Sequence, residues 1–393
     1  MADFLFLSTA DWDHPLWTNK QHVAKALAHA GHRVLYVDSL GLRRPRIDRA
    51  DSRRILARLK RCFQPPRKIE ERLWVISPLV VPGCSSGPVL WLNRLLLALS
   101  LVVASLILRL QRPILWTYNP ITFLLLPVRW PWGVVYHCVD RIQAQPEMPA
   151  TLITSAEREL CRRADVVFTT APELQRDLRP LNRHTYYYPN VADYGHFAVA
   201  QGFGASDIPW DLVRIGRPRI GFVGAIDGYK LDLSMLADLA ASTPDWSYVL
   251  IGPVAHGDPA TDVSQLESLS NVFFLGAKTY EVLPRYLAGF DVALLPLRCN
   301  DYTRHMFPMK FFEYLASGRP VVATAIPSLL DFSEVAHLCQ DDVSAFRHAI
   351  LSCLSGEGPP LSQRLAAARE HTYQARTQSM LRDLARVGLV GHH

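Results

Sequence analysis

Cysteines at paired, metal- or redox-type spacing are missing from this chain. Seven cysteines are scattered through 393 residues, at 62, 84, 138, 161, 299, 339 and 353, with no C-x-x-C pair. An odd, unpaired set argues against a disulfide framework and fits free thiols in a reducing compartment. Charged residues are only 20% of the chain and no tract is of low complexity, which excludes a disordered or tail-like protein. No repeat with a period of roughly 20–50 residues is present, which excludes a solenoid. No basic leader precedes the first apolar run at 4–7, so the opening residues read as a buried strand rather than a secretory signal. The apolar run at 95–108 (LLLALSLVVASLIL) is 14 residues long, closed by Arg94 and Arg109. That is short of the ~20 residues that span a bilayer. It reads as a helix that is either buried or dips into lipid.

A globular chain of 393 residues exceeds one ordinary core, and two domains are expected. Strand-like runs at 4–8, 33–38, 73–81, 114–118, 134–136 and 166–170 alternate with helical patterns at 20–30, 90–110 and 153–164. A Gly- and Pro-rich polar stretch at 198–218 reads as a linker. The alternation then restarts at 219–223 and continues through 247–251, 272–275, 292–296 and 321–324, with a long helical pattern at 364–385. This predicts an α/β protein of two doubly wound, Rossmann-like domains. The boundaries are 1–197, a linker 198–218, a second domain 219–363 and a terminal helical segment 364–393.

Charge is unevenly placed. Between 43 and 72, twelve Arg/Lys stand against four Asp/Glu, a local excess of +8 against +6 for the whole chain. With Ile55, Leu56 and Leu59 interleaved, the stretch reads either as a basic amphipathic surface for an anionic membrane or as a solvated face. The aromatic interleaving needed to stack bases is absent, which argues against nucleic acid.

Residues 308–324 (PMKFFEYLASGRPVVAT) carry the most chemistry. Pro308 suits a helix start, Gly318 the left-handed residue past its end, and the Val-Val-Ala-Thr run a strand buried on both faces. Lys310 and Glu313, three apart, share one face near the helix start. A lysine at a helix N-terminus attracts a diphosphate. A carboxylate one turn on can accept hydrogen bonds from both ribose hydroxyls. The segment resembles the donor-binding motif K-x-x-E-x-x-A-x-G-x-P-V-V of GT-B glycosyltransferases of the retaining family-4 type. Four further elements resemble that family in order. The turn 221–230 (GFVGAIDGYK) matches its G-R-x-x-x-x-K element at Gly224 and Lys230; Leu250-Ile251-Gly252-Pro253 matches a strand end. Phe273-Phe274-Leu275-Gly276 matches its F-x-G strand, and the run 283–296 the strand before the catalytic loop. The segment 186–197 (YYYPNVADYGHF) resembles its P-N-G-V-D-x-x-x-F element.

Two positions depart from the family. Ala225 stands where an arginine helps hold the diphosphate, and His305 stands where the first glutamate of E-x7-E lies. The loop 300–308 resembles a subgroup typified by teichuronic-acid-type glycosyltransferases. Arg304 would replace the missing charge, and His305 either contacts the sugar or diphosphate or packs the loop. The resemblance implies a GT-B fold whose C-terminal domain binds a nucleotide-diphosphate sugar through Gly224, Lys230, Gly252, Gly276, Arg304, Lys310 and Glu313. Lys230 and Lys310 would stabilise the leaving diphosphate without a metal or other cofactor. An acceptor, glycan or polyprenol- or lipid-linked, would meet His14, Trp17, Tyr118 and Asp140 of the N-terminal domain, with His137 at the reacting centre or structural. Asp11-Trp12-Asp13 imitates a D-x-D metal motif but comes too early and reads as loop. The implied biology is envelope polysaccharide or glycolipid synthesis with retention of configuration, in the cytoplasm on the inner face of the plasma membrane. Two alternatives stay open: a nucleotide-sugar epimerase on the same fold, and a non-catalytic GT-B module that partners an assembly.

Overall fold

The computed structural model describes residues 1–14, 17–40, 64–80, 87–126 and 132–391. The chain divides into two compact units. The first comprises Met1–Thr170, Leu174–Tyr188 and Arg376–His393; the second comprises Ala171–Glu173 and Pro189–Ala375. Residues 189–197, assigned above to the first domain, therefore pack within the second unit, as does the start of the terminal segment up to Ala375.

The first unit holds an eight-stranded sheet. Its strands are β1 (Asp3–Leu7), β2 (Arg33–Val37), β3 (Arg67–Glu70), β4 (Leu73–Ile76), β5 (Ile114–Thr117), β6 (Gly133–Cys138), β7 (Val166–Thr169) and β8 (Thr185–Tyr187), in the order β3-β4-β2-β1-β5-β6-β7-β8. All neighbours are parallel except β3, which pairs antiparallel with β4 at the edge. The central strands are buried along their length, as expected where helices cover both faces.

The second unit holds six parallel strands, β9 (Arg219–Val223), β10 (Ser247–Ile251), β11 (Val272–Phe274), β12 (Val292–Leu295), β13 (Val321–Thr324) and β14 (His337–Cys339), in the order β11-β10-β9-β12-β13-β14. This is the 3-2-1-4-5-6 order of a dinucleotide-type sheet, with its switch point between β9 and β12. Gly221 makes that junction tight. A Cβ there would lie 2.1 Å from the Phe290 ring, so the ring rests directly on the β9 backbone just before β12 begins.

Two helices differ from the sequence reading. The helix over the apolar run is Gly87–Leu108, 22 residues, about 33 Å long. Asn93, Leu97, Leu101 and Ala104 form its buried face, and the three apolar ones join the core with Leu5, Leu7, Leu35, Leu115 and Ile153. Trp91, Leu92, Leu95, Leu99, Val102, Val103, Leu106 and Ile107 are exposed on the rest of it. It is the one helix among the described residues long and apolar enough to cross a membrane. The expected long helix at 364–385 is two helices, Leu361–Glu370 and Tyr373–Arg386. At the break, the His371 carbonyl accepts from Ala192 N–H at 3.2 Å and the His371 ring stacks on Phe312 at 4.3 Å. Those tertiary contacts override a continuous helical pattern. The basic stretch at 43–61 lies outside the described residues. Of its continuation, Arg67 makes two bonds to the Asp13 carboxylate, at 2.7 and 2.9 Å.

Replacing Gly221 with alanine should drive a methyl into the Phe290 ring and lower the unfolding free energy by about 1–3 kcal/mol. Urea unfolding of the variant beside the wild type measures it, and an unchanged midpoint would contradict the packing described.

Candidate functional site

In a doubly wound sheet, ligands bind beyond the carboxyl ends of the strands at the switch point. Three of the glycines singled out from sequence come together there. Gly224 follows β9, Gly252 follows β10 and Gly276 lies just past β11. Gly224 N–H donates to the Ile251 carbonyl at 2.9 Å, and Gly252 N–H donates to the Gly276 carbonyl at 3.0 Å. The approach leaves no room for side chains: a Cβ on Gly252 would fall 1.8 Å from the Gly224 carbonyl oxygen. The φ of Gly252 is also +151°, which side chains disfavour. The result is a row of bare backbone turns that a ligand can approach closely.

The turn after Gly224 carries Lys230. Asp227 is fully buried; its carboxylate accepts from Gly257 N–H at 2.7 Å and lies 3.6 Å from Lys230 Nζ. The ammonium also sits over the rings of Tyr229 and Tyr302, at 4.9 and 5.9 Å. The turn is fastened to the loop after β12. Asp232 N–H donates to Pro296 O at 2.9 Å, Arg298 N–H to Lys230 O at 2.9 Å, and Asn300 Nδ2 to Tyr229 O at 2.8 Å.

Lys310 and Glu313 open the seven-residue helix Lys310–Ala316. Lys310 Nζ donates to Glu313 Oε2 at 2.6 Å. The Glu313 side chain is only 5% exposed. Burial raises its pKa above the usual carboxylate range, and Lys310 pulls it back, with a smaller contribution from His196. The lysine therefore favours the ionised form of a carboxylate that burial disfavours. The helix ends as expected at Gly318, φ +79°, where Arg319 N–H reaches the Tyr314 carbonyl and Gly318 N–H the Leu315 carbonyl.

Sequence reasoning missed what holds this helix in place. Tyr314, fully buried, accepts the Val223 N–H on its hydroxyl at 2.8 Å. Val223 is the last residue of β9, so one bond fixes the Lys310–Glu313 helix against the glycine turn. The signal was within the quoted motif, but spacing alone does not show what the inner face of a helix touches. Also missed was the pair His196 and Tyr280, stacked at 4.2 Å with His196 Nε2 2.9 Å from the Tyr280 carbonyl. Asp193 caps the short helix that bears His196, and its charge, like that of His196, acts on Glu313.

The remaining candidates lie elsewhere. His305 is 3% exposed, with Nδ1 2.6 Å from the Asp301 carbonyl, so its ring is tied to the end of its own short helix. Arg304, one residue earlier, is exposed. In the first unit, His137 lies inside β6 rather than in the loop after it. It is fully buried, stacked on Tyr118 at 4.7 Å and beside Trp116 and Phe168. Burial, helped by Arg376 and Lys20, lowers its pKa well below the usual histidine range, so it is neutral. Tyr118 is likewise buried, against Phe6 at 5.4 Å. In this conformation both belong to an aromatic layer of the core. Trp17 packs with Trp12 and His22, each at 5.2 Å. His14 and Asp140 are half-buried.

The description of one protein family, glycosyl transferases group 1, matches residues 217–356. A protein of Bacillus subtilis described as the teichuronic acid biosynthesis glycosyltransferase TuaH is 30% identical over 234 residues. That match takes in 56% of this chain and 57% of the relative, so the chain spans little more than half the length of that relative. Among solved structures, the sucrose-phosphate synthase of Thermosynechococcus elongatus superposes with a TM-score of 0.71 at 17% identity, over 98% of this chain and 99% of that one. HepE of Anabaena, solved with UDP and glucose, gives 0.67 at 17% identity over 98% and 99%. The E. coli trehalose-6-phosphate protein bound to UDP-2-fluoro glucose gives 0.67 at 15% over 99% and 100%. At these identities the likeness is one of fold.

Gly252→Ala should abolish ligand binding at this end of the sheet, because the added methyl cannot coexist with the Gly224 carbonyl. Tyr314→Phe should cost about 1–3 kcal/mol of stability through an unsatisfied buried N–H. Thermal unfolding and nucleotide titration of both variants check these outcomes.

Proposed function

For a chain that carries a glycosyl transferases group 1 domain at residues 217–356 on the GT-B fold, we propose the following reaction. The protein transfers a sugar from a nucleoside-diphosphate sugar to a glycan or lipid-linked acceptor, with retention of configuration. The observation that carries this reading is the juxtaposition of the bare glycine row with the Lys310–Glu313 helix, fixed together by Tyr314 and Val223. Glu313 accepts from the ribose hydroxyls. Lys310 and Lys230 meet the negative charge that grows on the diphosphate as the sugar leaves, and charge stabilisation of this kind is the main catalytic contribution. It operates without a metal. The nucleoside of this proposed donor is uridine, a reading supported by HepE and the E. coli protein, which were solved with uridine nucleotides. The name of the Bacillus relative supports an envelope polymer as the product.

The same reading places the protein peripherally on an anionic membrane. The exposed face of Gly87–Leu108 presents eight large apolar side chains. Just beyond the helix, Arg112 lies 4.5 Å over the ring of the exposed Trp132. An apolar face with cationic and aromatic groups at its end suits the water–lipid boundary. Because Leu97, Leu101 and Ala104 are committed to the core, the helix lies along the surface rather than crossing it.

Calorimetric titration in EDTA with UDP, GDP, ADP and CMP tests the donor site. UDP should bind and Lys310→Ala should weaken it at least tenfold. Absence of binding by every nucleotide would point to a non-catalytic assembly partner instead. Flotation with vesicles containing phosphatidylglycerol tests the membrane face. Leu99→Glu with Leu106→Glu should lose flotation while keeping UDP binding, and undiminished flotation would contradict it.

A further inference from the structure

Lys230 and Lys310 each lie beside a buried acid, but the two pairs are built differently. Lys310 Nζ donates to Glu313 Oε2 at 2.6 Å. Lys230 Nζ stands 3.6 Å from Asp227 Oδ2. That separation exceeds the roughly 2.7–2.9 Å of a charge-assisted hydrogen bond. The same oxygen has no hydrogen-bond partner among the described residues. The Asp227 side chain is 1% exposed and that of Lys230 27%, so the acid is sealed and the cation is within reach of solvent.

Asp227 is also anchored from behind. Its Oδ1 accepts from Gly257 N–H at 2.7 Å and from Asp258 N–H at 3.3 Å, both in the loop after β10. The next residue is fastened to the same loop, with Gly228 N–H donating to Thr261 Oγ1 at 2.9 Å. Ala255 in that loop has a φ of +55°, a left-handed conformation that side chains disfavour, and its N–H donates to the Ile226 carbonyl at 3.0 Å. A Cβ on Gly257 would lie 2.9 Å from Asp227 Oδ2, so a side chain there would crowd the carboxylate. A strained alanine and a buried oxygen left unanswered both reduce stability, and such features gather where an arrangement serves a site. The ammonium, by contrast, is held by non-directional contacts: the carboxylate at 3.6 Å and the rings of Tyr229 and Tyr302 at 4.9 and 5.9 Å. The anion is fixed and the cation can be drawn away.

We propose that Asp227 is a positioning residue that competes with the bound nucleotide for Lys230. Before the nucleotide binds, the carboxylate holds the ammonium over the glycine turn. A nucleoside diphosphate draws the ammonium onto its phosphate oxygens, while Asp227 stays on the Gly257 and Asp258 N–H groups. The competition weakens the hold on the product nucleotide and so favours its release, a step that limits turnover in many enzymes. The proposal rests on the nucleotide-sugar reading given above and adds how that site is kept from binding its product too tightly.

The test is calorimetric titration with UDP of wild type, Asp227→Asn, Lys230→Met, the double variant and Lys310→Ala. Asparagine keeps an oxygen for the Gly257 and Asp258 N–H groups but carries no charge. Asp227→Asn should bind UDP about three- to tenfold tighter than wild type. In the Lys230→Met background the same substitution should change nothing, because the competition has lost its object. Unchanged or weaker binding by Asp227→Asn would overturn the proposal. So would equal tightening in both backgrounds, which would mean that the acid acts on the nucleotide directly. UDP binding that Lys310→Ala weakens and Asp227→Asn leaves alone would refute this proposal and spare the donor-site reading; no UDP binding by wild type would refute both. Should Asp227→Asn fail to fold, NMR of wild type decides. The chain has seven lysines, so a protein labelled with carbon-13 at lysine Cε gives few signals, and that of Lys230 is the one lost in Lys230→Arg. Saturating UDP should move it from the position that the tyrosine rings impose, and a signal that stays in place would overturn the proposal.

Discussion

The carbonyl of Gly224 against the Cα of Gly252 is the contact on which the rest of the second unit's chemistry depends. At 1.8 Å from that oxygen, no Cβ can exist at Gly252. The turns after β9 and β10 are therefore held closer than any side-chain-bearing pair would allow, and the Gly276 carbonyl extends the row. A backbone surface without side chains is what a polyanion needs in order to reach main-chain N–H groups. Tyr314 then transfers the position of that surface to the helix that carries Lys310 and Glu313, through Val223. Remove the close approach, and the cations and the carboxylate would have no fixed relation to the turns.

Electrostatics in this unit are organised around buried acids answered by lysines. Asp227 and Glu313 are both nearly inaccessible, and each lies beside one lysine. Without Lys310, burial would favour the protonated form of Glu313, which could donate one hydrogen bond but lose its value as a double acceptor. The lysines thus hold positive charge near the turns, and Lys310 also opposes the effect of burial on Glu313.

The fold was legible where burial left a continuous apolar signature. Strands such as β12 (VALL) and β13 (VVAT) are buried throughout, and their runs stand out from the flanking Gly and Pro. The edge strand β3 (RKIE) was not legible, because its side chains are half-buried or exposed and carry no apolar run. The break at His371 was hidden for a related reason: the residues around it keep helical periodicity, and only the contacts with Ala192 and Phe312 interrupt it. At the site, glycine spacing and the Lys310–Glu313 pair were readable because local geometry dictates them. Tyr314, His196 and Tyr280 were not, since their partners lie 91, 84 and 84 residues away. The surroundings of His137 were not legible for a third reason. Its place in the sequence suggested a loop, whereas β6 extends through Cys138 and carries the ring into the aromatic layer.

A crystal structure of the protein with UDP would test the central claim most directly. The account predicts the ribose hydroxyls on Glu313, the diphosphate against the Gly224 turn within reach of Lys230 and Lys310, and the Tyr314–Val223 bond intact. A uridine nucleotide bound away from the carboxyl ends of β9 and β10, or one that leaves Glu313 without a ribose contact, would contradict it.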